Sequence, residues 1–296
     1  MAERVGLVGL GLMGHAISKN MLAADFGVQG FDVAADRVAL FQEMGGVVVG
    51  SPAEAARGVG TVVLSLPNSD IVREVVLGAD GVAEGASEGL VIVDTTTSRP
   101  EDSASIAKEL APRGIRFVDA AVSGTSVMAE EKDLIVIAGG AAEDFEAARE
   151  VMGGFSRAAY YMGASGSGAL TKLIINLVLM GNRFALMEGM LLGMKAGVDE
   201  QRLLSVLKDG ASGSKTMDQK GQKLIDGDYT PQGALWVSTK DSGLMMEQGR
   251  KYGTPMFMTT LYNQLANCQA RIGDDTLDSA SVFEMLREMA GLERRV

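Results

Sequence analysis

The sequence predicts an α/β doubly wound sheet followed by an all-helical second domain. Three observations carry this. Short apolar runs alternate with helical patterns through the first half of the chain. A glycine-rich turn lies directly after the first apolar run and opens a helical pattern. Beyond a Gly/Ser-rich stretch at residues 163–168, no strand pattern recurs.

The elements follow in order. Residues 5–8 read as a strand, 13–22 as a helix, 28–31 as a strand and 34–43 as a helix. Further strands are expected at 47–49, 61–66 and 90–93, with helices at 51–57, 69–77 and 99–110. These strands are continuously apolar, as strands covered on both faces are, so the sheet should be parallel. Residues 117–122 and 134–138 extend it, 142–152 form a helix, and 158–161 a last short strand. Residues 169–196 then read as one long helix, on the order of 40 Å, joining the two domains. Helices are expected at 199–207, 215–225, 233–252, 255–272 and 279–289. Gly197 followed by Asp199 combines a helix stop with an N-cap. The domains are thus 1–164 and 165–296.

Composition narrows the function. The 296 residues are 47% hydrophobic, enough for full cores, and the net charge of -11 argues against nucleic acid, which needs a basic face. One cysteine, Cys268, precludes an intrachain disulfide and suits a reducing cytoplasm. The N-terminus lacks the pattern of a signal peptide. The most apolar stretch, 173–192, contains Asn176, Asn182, Arg183 and Glu188, which marks a buried helix rather than a membrane span. The 18 methionines read as core filler.

Gly9-Leu10-Gly11-Leu12-Met13-Gly14 is a G-x-G-x-x-G motif. Between a strand and a helix, in a unit of about thirty residues, it is the fingerprint of a Rossmann-type dinucleotide site. Gly9 permits the tight turn, Gly11 lets backbone approach a pyrophosphate, and Gly14 lets helix pack on strand. The helix N-terminus offers N–H groups and partial positive charge to the anion. Asp32, ending the second strand, is placed to accept from ribose hydroxyls and to repel a 2′-phosphate, which favours NAD over NADP. Arg37 keeps the NADP reading open, and Asp32 could also serve as an N-cap. His15, the only histidine, reads as a first-turn residue rather than a catalyst.

Dinucleotide redox chemistry on an alcohol needs a partner for the proton. One Cys and one His cannot build the usual catalytic zinc site, so no metal is expected. No Tyr-x-x-x-Lys is present, which leaves lysine or a carboxylate. Lys172 stands early in the long helix amid Leu173, Ile174 and Ile175, with Asn176 one turn on and on the same face. A lysine in an apolar cleft has a lowered pKa and could exchange the proton; a surface lysine on an amphipathic helix is the alternative. Two polar segments follow strands, Asp94-Thr95-Thr96-Thr97-Ser98 and Asp119-Ala-Ala-Val-Ser-Gly124. They read either as ligand-binding edges or as capping turns. Lys240-Asp241 alone reads as a surface pair.

Together these segments resemble the β-hydroxyacid dehydrogenase family, which includes 3-hydroxyisobutyrate dehydrogenases and semialdehyde reductases. The resemblance spans the chain: the residue 8–14 motif with Ser18 and Asn20, Asp94 to Thr97, the 119–125 loop, Lys172 with Asn176, and Lys240-Asp241. It implies that Lys172 is the general acid/base and that Asn176 orients the reacting oxygen or the substrate. Ser123 and Gly124, with Thr125 beside them, would hold the substrate carboxylate. Thr97 would contact the nicotinamide ribose, and Leu66, Pro67, Asn68 and Lys240 would line the cofactor. The long helix would help form a homodimer or homotetramer. Ala121 replaces the family's usual Pro and Thr125 its second Gly, which suggests a substrate with an extra polar group. The expected activity is NAD-dependent oxidation of a small β-hydroxy acid. The alternatives are an NADPH-dependent glyoxylate, succinic semialdehyde or tartronate semialdehyde reductase, and a non-catalytic dinucleotide-binding scaffold.

Overall fold

A computed structural model describes residues 3–296. Their contacts form two compact units, one ending at Lys172 and one beginning at Leu173. The strands of the first unit are β1 (Arg4–Val8), β2 (Gly27–Phe31), β3 (Val47–Val48), β4 (Thr61–Leu64), β5 (Val91–Asp94), β6 (Arg116–Ser123), β7 (Ile135–Gly139) and β8 (Ala158–Tyr161). They form a single sheet in the order β3-β2-β1-β4-β5-β6-β7-β8. The order reverses direction between β1 and β4, the switch point at which such sheets open a crevice beyond their carboxyl ends.

The helices of this unit are α1 (Leu12–Ala23), α2 (Ala35–Glu43), α3 (Pro52–Ala56), α4 (Ser69–Leu77), α5 (Val82–Gly85), α6 (Pro100–Leu110), α7 (Ser126–Glu130) and α8 (Ala142–Phe155). Alternate residues of each strand feed two cores. Val5 and Leu7 of β1 join Ile17, Met21 and Phe155 on one face. Val8 joins Val62, Leu64, Ile92 and Ile106 on the other. Burial on both faces is why these strands carry no polar alternation.

One strand pair departs from the expected parallel sheet. β7 runs antiparallel to β6, with Ala121 opposite Ile137. The connection, residues 124–134, is too short for a crossover over the sheet, which takes about a dozen residues or more. It holds α7 instead, a helix the apolar pattern did not reveal, and α5 was likewise unforeseen.

The second unit is helical. α9 (Ser167–Ala196) begins in the first unit and runs unbroken into the second. It ends at Gly197, with φ of 75°, as a left-handed helix stop requires. Asp199 then caps the next helix by accepting from Arg202 N at 2.8 Å. The remaining helices are α10 (Glu200–Asp209), α11 (Lys215–Asp226), α12 (Leu235–Tyr252), α13 (Phe257–Ile272) and α14 (Val282–Met289). The expected 279–289 helix opens as a 3-10 turn, Ser279–Ser281, and α12 starts at Leu235 rather than 233. By length and composition α9 could cross a membrane, but its polar residues Asn176 and Arg183 bond to partners within the helical unit.

A buried ion pair organises one wall of this unit. Lys220 Nζ donates to both oxygens of Asp278, at 2.9 and 2.8 Å, and both side chains are almost fully enclosed. Asp278 also accepts from Gln232 N, Gly233 N and Ala280 N. Asp278→Ala should therefore destabilise the helical unit by roughly 3–5 kcal/mol, since it leaves a buried ammonium without its partner. Urea unfolding followed through Trp236, the sole tryptophan, reads this; a change below about 1 kcal/mol would be inconsistent with it.

Candidate active site

Most of the sequence-predicted residues of the first unit lie on one edge of the sheet. Residues 9–14 (the turn after β1 and the start of α1), Asp32 after β2, Leu66 to Asn68 after β4, Thr97 after β5, and Ser123 to Thr125 at the end of β6 all lie at the carboxyl ends of these strands. The glycine turn has the geometry its spacing demanded. Gly9 adopts φ of 93°, and a Cβ there would lie 2.2 Å from Ser65 O. A Cβ on Gly14 would lie 1.9 Å from Gly9 O, so helix and strand approach as only glycine allows. At Gly11 a Cβ would meet nothing within 4 Å, so the space in front of the α1 N-terminus is open. No side chain caps α1 and its first turn holds no acidic residue, which leaves its N–H groups and positive end to an anion. A dinucleotide pyrophosphate fits this cradle.

Asp32 does more than face the edge. Its Oδ2 accepts from Leu10 N at 2.6 Å and its Oδ1 from Ala34 N at 2.8 Å. It therefore pins the glycine turn and forms an Asx turn ahead of α2, whose own N-cap is Ala34 without a side-chain bond. A carboxylate has lone pairs left for further donors. α1, α2 and α7 border a groove of about 680 Å³ that carries His15, Lys19 and Arg37. Lys19 pairs with Glu130 at 2.7 Å, and Arg37 lies 3.6 Å from Asp36.

The threonines after β5 divide their work. Thr95 Oγ1 donates to Leu64 O and Thr96 Oγ1 accepts from Leu66 N, both inside the fold. Thr97 is half-buried on the edge. Leu66 is half-buried, Pro67 is exposed, and Asn68 caps α4 by accepting from Ile71 N at 3.0 Å. Just after β6, Gly124 has φ of 149°, and a Cβ would collide with Leu134 at 2.4 Å. Thr125 Oγ1 accepts from Met128 N at 3.3 Å and so caps α7.

Asp119 and Asp94 are cross-strand neighbours, both buried. Asp119 accepts from Gly166 N at 2.8 Å and Ala169 N at 2.9 Å, which makes it the cap of α9. That fixes the start of the helix carrying Lys172, which is 8% exposed and is therefore no surface lysine. One turn on, Asn176 Nδ2 donates to Asp241 Oδ2 at 2.9 Å. Asp241 is buried, with Lys240 Nζ 3.2 Å from its Oδ1, an ion-pair contact without hydrogen-bond alignment. Lys240-Asp241 is thus built into the helical unit rather than a surface pair. Among the described residues no cluster of His, Cys, Asp and Glu could hold a metal ion.

Comparison with known proteins agrees with this fold. Residues 4–163 match the NAD binding domain of 6-phosphogluconate dehydrogenase, and residues 166–286 match the NAD-binding domain of NADP-dependent 3-hydroxyisobutyrate dehydrogenase. The chain is 30% identical over 290 residues to 2-(hydroxymethyl)glutarate dehydrogenase of Eubacterium barkeri, covering 98% of this chain and 96% of that one. The chain belongs to the β-hydroxyacid dehydrogenase family. Another relative is mitochondrial 3-hydroxyisobutyrate dehydrogenase of Homo sapiens, 30% identical over 291 residues, covering 96% of this chain and 87% of that one. The crystal structure of 3-hydroxyisobutyrate dehydrogenase from Salmonella typhimurium superposes with a TM-score of 0.88 at 27% identity, covering 96% of this chain and 99% of that one. As a family member, the chain is an oxidoreductase of CH–OH donors that uses a nicotinamide dinucleotide.

Two features of this β-hydroxyacid dehydrogenase escaped sequence reasoning. Asp241, in the sequence half of a charged pair within the family's Lys-Asp motif, fixes Asn176. Arg183 was noted only as a charge that disfavours a membrane span. The spacing 172, 176, 183 along one helix (four, then seven residues) could have flagged a shared face.

The Asp94 carboxyl is pushed up to about 7 by burial, with neighbouring Asp119 adding to the rise and its bonds to Thr96 and Ser98 opposing it. The folded state then holds this proton more tightly than the unfolded chain. Its stabilising contribution is full below the ordinary carboxyl range and is lost as pH rises towards 7. Asp94→Asn keeps an acceptor for Thr96 N and stays uncharged. Its Tm relative to wild type should rise between pH 5 and pH 8, on the order of 5 °C; a pH-independent difference would contradict the assignment.

Proposed function

We propose that this β-hydroxyacid dehydrogenase oxidises a small β-hydroxy acid with NAD, using Lys172 as the general acid/base. The observation that carries the reading is a buried lysine one helical turn from an asparagine whose amide is held by a buried carboxylate. Both relatives named above take their names from β-hydroxy acids, which supports the substrate class.

When bound, the dinucleotide supplies the acceptor for the hydride that leaves the alcohol carbon. The chain's own residues do the rest. Lys172 takes the hydroxyl proton as the C–O bond becomes a carbonyl, and returns it in the reverse direction. Asn176 orients that oxygen, its Nδ2 held by Asp241. Ser123, Gly124 and Thr125 hold the substrate carboxylate; the Thr125 hydroxyl accepts from Met128 N and keeps its O–H as a donor. The glycine turn of residues 9–14 binds pyrophosphate, Asp32 accepts from ribose, and Leu66, Pro67, Asn68, Thr97 and Lys240 complete the cofactor contacts. NAD is favoured because a 2′-phosphate would meet the Asp32 carboxylate. The opposing reading, an NADPH-dependent semialdehyde reductase, rests on Arg37 beside the same groove. Asp36 lies against that arginine and weakens it as a phosphate ligand.

The proposal also includes a cytoplasmic setting, which suits the exposed free thiol of Cys268, and a homodimer or homotetramer. Exposed Ile174, Val178 and Leu192 on α9 and Phe257 on α13 offer apolar surface for association.

Steady-state rates over a β-hydroxy acid panel test the chemistry. Wild type should show at least a ~10-fold higher kcat/KM with NAD than with NADP. Lys172→Ala should lower kcat by about 10²- to 10⁴-fold while NADH still binds. Turnover near the wild-type level in that variant would refute the role of Lys172, and an NADP preference would refute that of Asp32. Light scattering at micromolar protein should give the mass of a dimer or tetramer; a monomer would overturn that part.

A further inference from the structure

The helical unit contains a charged group that the reaction does not use. Arg183 lies two turns beyond Asn176 on α9. Its Nη1 donates to Ser279 Oγ at 2.6 Å, and its Nη2 to Ser238 Oγ at 3.0 Å and Tyr262 OH at 2.9 Å. The guanidinium also lies over the Tyr262 ring, 5.3 Å from its centroid. Every one of these partners is neutral. Nε is buried with no acceptor, and among the described residues no carboxylate stands within ion-pair distance of this side chain.

That is an uncommon way to hold a guanidinium, which stays charged at all accessible pH. A buried or half-buried cation normally finds a carboxylate. Here it is fixed in place by hydroxyls and lines a cavity of about 160 Å³ together with Asn176 and Asp241. Of the nearby acids, Asp278 is committed to Lys220 and three backbone amides. Asp241, which lines the same cavity, accepts from Asn176 through Oδ2 and has Lys240 Nζ 3.2 Å from its Oδ1, an oxygen that takes no hydrogen bond. The cavity is comparable to one that admits a six-carbon ring, on the order of 150 Å³. Met180 and Val237 give it apolar walls between the polar ends. Gly233 leaves it open, because a Cβ there would meet nothing within 4 Å. Asn176 and Arg183 are about 10 Å apart along the axis. Helical side chains lean towards the N-terminus, so the guanidinium reaches back towards Asn176.

We propose that Arg183 recognises a second anionic group on the substrate and selects β-hydroxy acids whose C2 carries a short arm ending in a carboxylate. The inference rests on the reading in which Asn176 faces the reacting end. The apolar walls take the methylenes of the arm, and the guanidinium takes the carboxylate in a charge-assisted bond. Arg183 is a specificity residue: it touches the far end of the substrate and exchanges no proton.

The test compares 2-(hydroxymethyl)glutarate with 2-(hydroxymethyl)pentanoate. They share the reacting end, and their arms end in a carboxylate and a methyl group respectively. Wild type should favour the diacid in kcat/KM by about 10- to 100-fold. In Arg183→Gln that ratio should fall to about one, whatever the absolute rate. Gly233→Leu, which leaves the arginine in place and fills the cavity, should lower kcat/KM for both long-armed compounds relative to 3-hydroxyisobutyrate. A wild-type ratio near one, or a ratio unchanged by Arg183→Gln, overturns the proposal. Calorimetry with glutarate, which has no alcohol to oxidise, separates this idea from the catalytic one. If no hydroxy acid is turned over but glutarate binds wild type at least tenfold tighter than Arg183→Gln, the anion site stands and the catalytic reading fails. Glutarate that binds both proteins equally, or neither, overturns the anion site.

Discussion

The attachment of α9 to the sheet is the constraint on which the rest depends. Asp119, on β6, accepts the amides of Gly166 and Ala169 and so terminates the helix against the sheet. A negative group at this position also complements the helix dipole. Contact is close enough that a Cβ on Gly168 would lie 2.5 Å from Asp119 O and 2.6 Å from Ile137 O. The first turn of α9 is thereby fixed in rotation and height, and Lys172 takes its position from it. This requires two adjacent buried carboxyls, Asp94 and Asp119, and the sheet tolerates them because each accepts backbone N–H bonds.

Much of this was legible in the chain. Continuous apolar runs marked the strands because both faces are buried, and the glycine spacing marked the turn because each glycine answers a distinct steric demand. Gly197 and Asp199 announced the end of one helix and the start of the next. What escaped reading depends on distance in sequence rather than on local pattern. The antiparallel turn of β7 follows from the length of a connection, and α7 is too short for a periodic signal. The roles of Asp119, Asp241 and Arg183 depend on partners 47, 65 and 96 residues away respectively. Thr125 shows the converse: its hydroxyl was visible in the chain, and the cap it gives α7 by accepting from Met128 N was not.

The helical unit spends its buried charge sparingly. Lys220 and Asp278 neutralise each other and, through the amides of Gln232 and Gly233, hold the segment leading into α12. Asp241 is shared between Asn176 and Lys240. Against these closed arrangements, the arginine surrounded by hydroxyls stands apart as a positive group without an internal counterion. The unit's framework therefore carries a net positive spot within a chain whose overall charge is -11.

The double engagement of Asp32 bears on how readily the family's cofactor choice can drift. Its carboxylate is at once the proposed ribose acceptor and the acceptor for Leu10 N within the glycine turn. Replacing it with a small neutral residue, the obvious single step towards accommodating a phosphorylated ribose, would strand a backbone N–H inside the very loop that must keep its shape. A lineage moving in that direction has first to acquire another acceptor for Leu10, so the two cofactor preferences are separated by a valley rather than a slope.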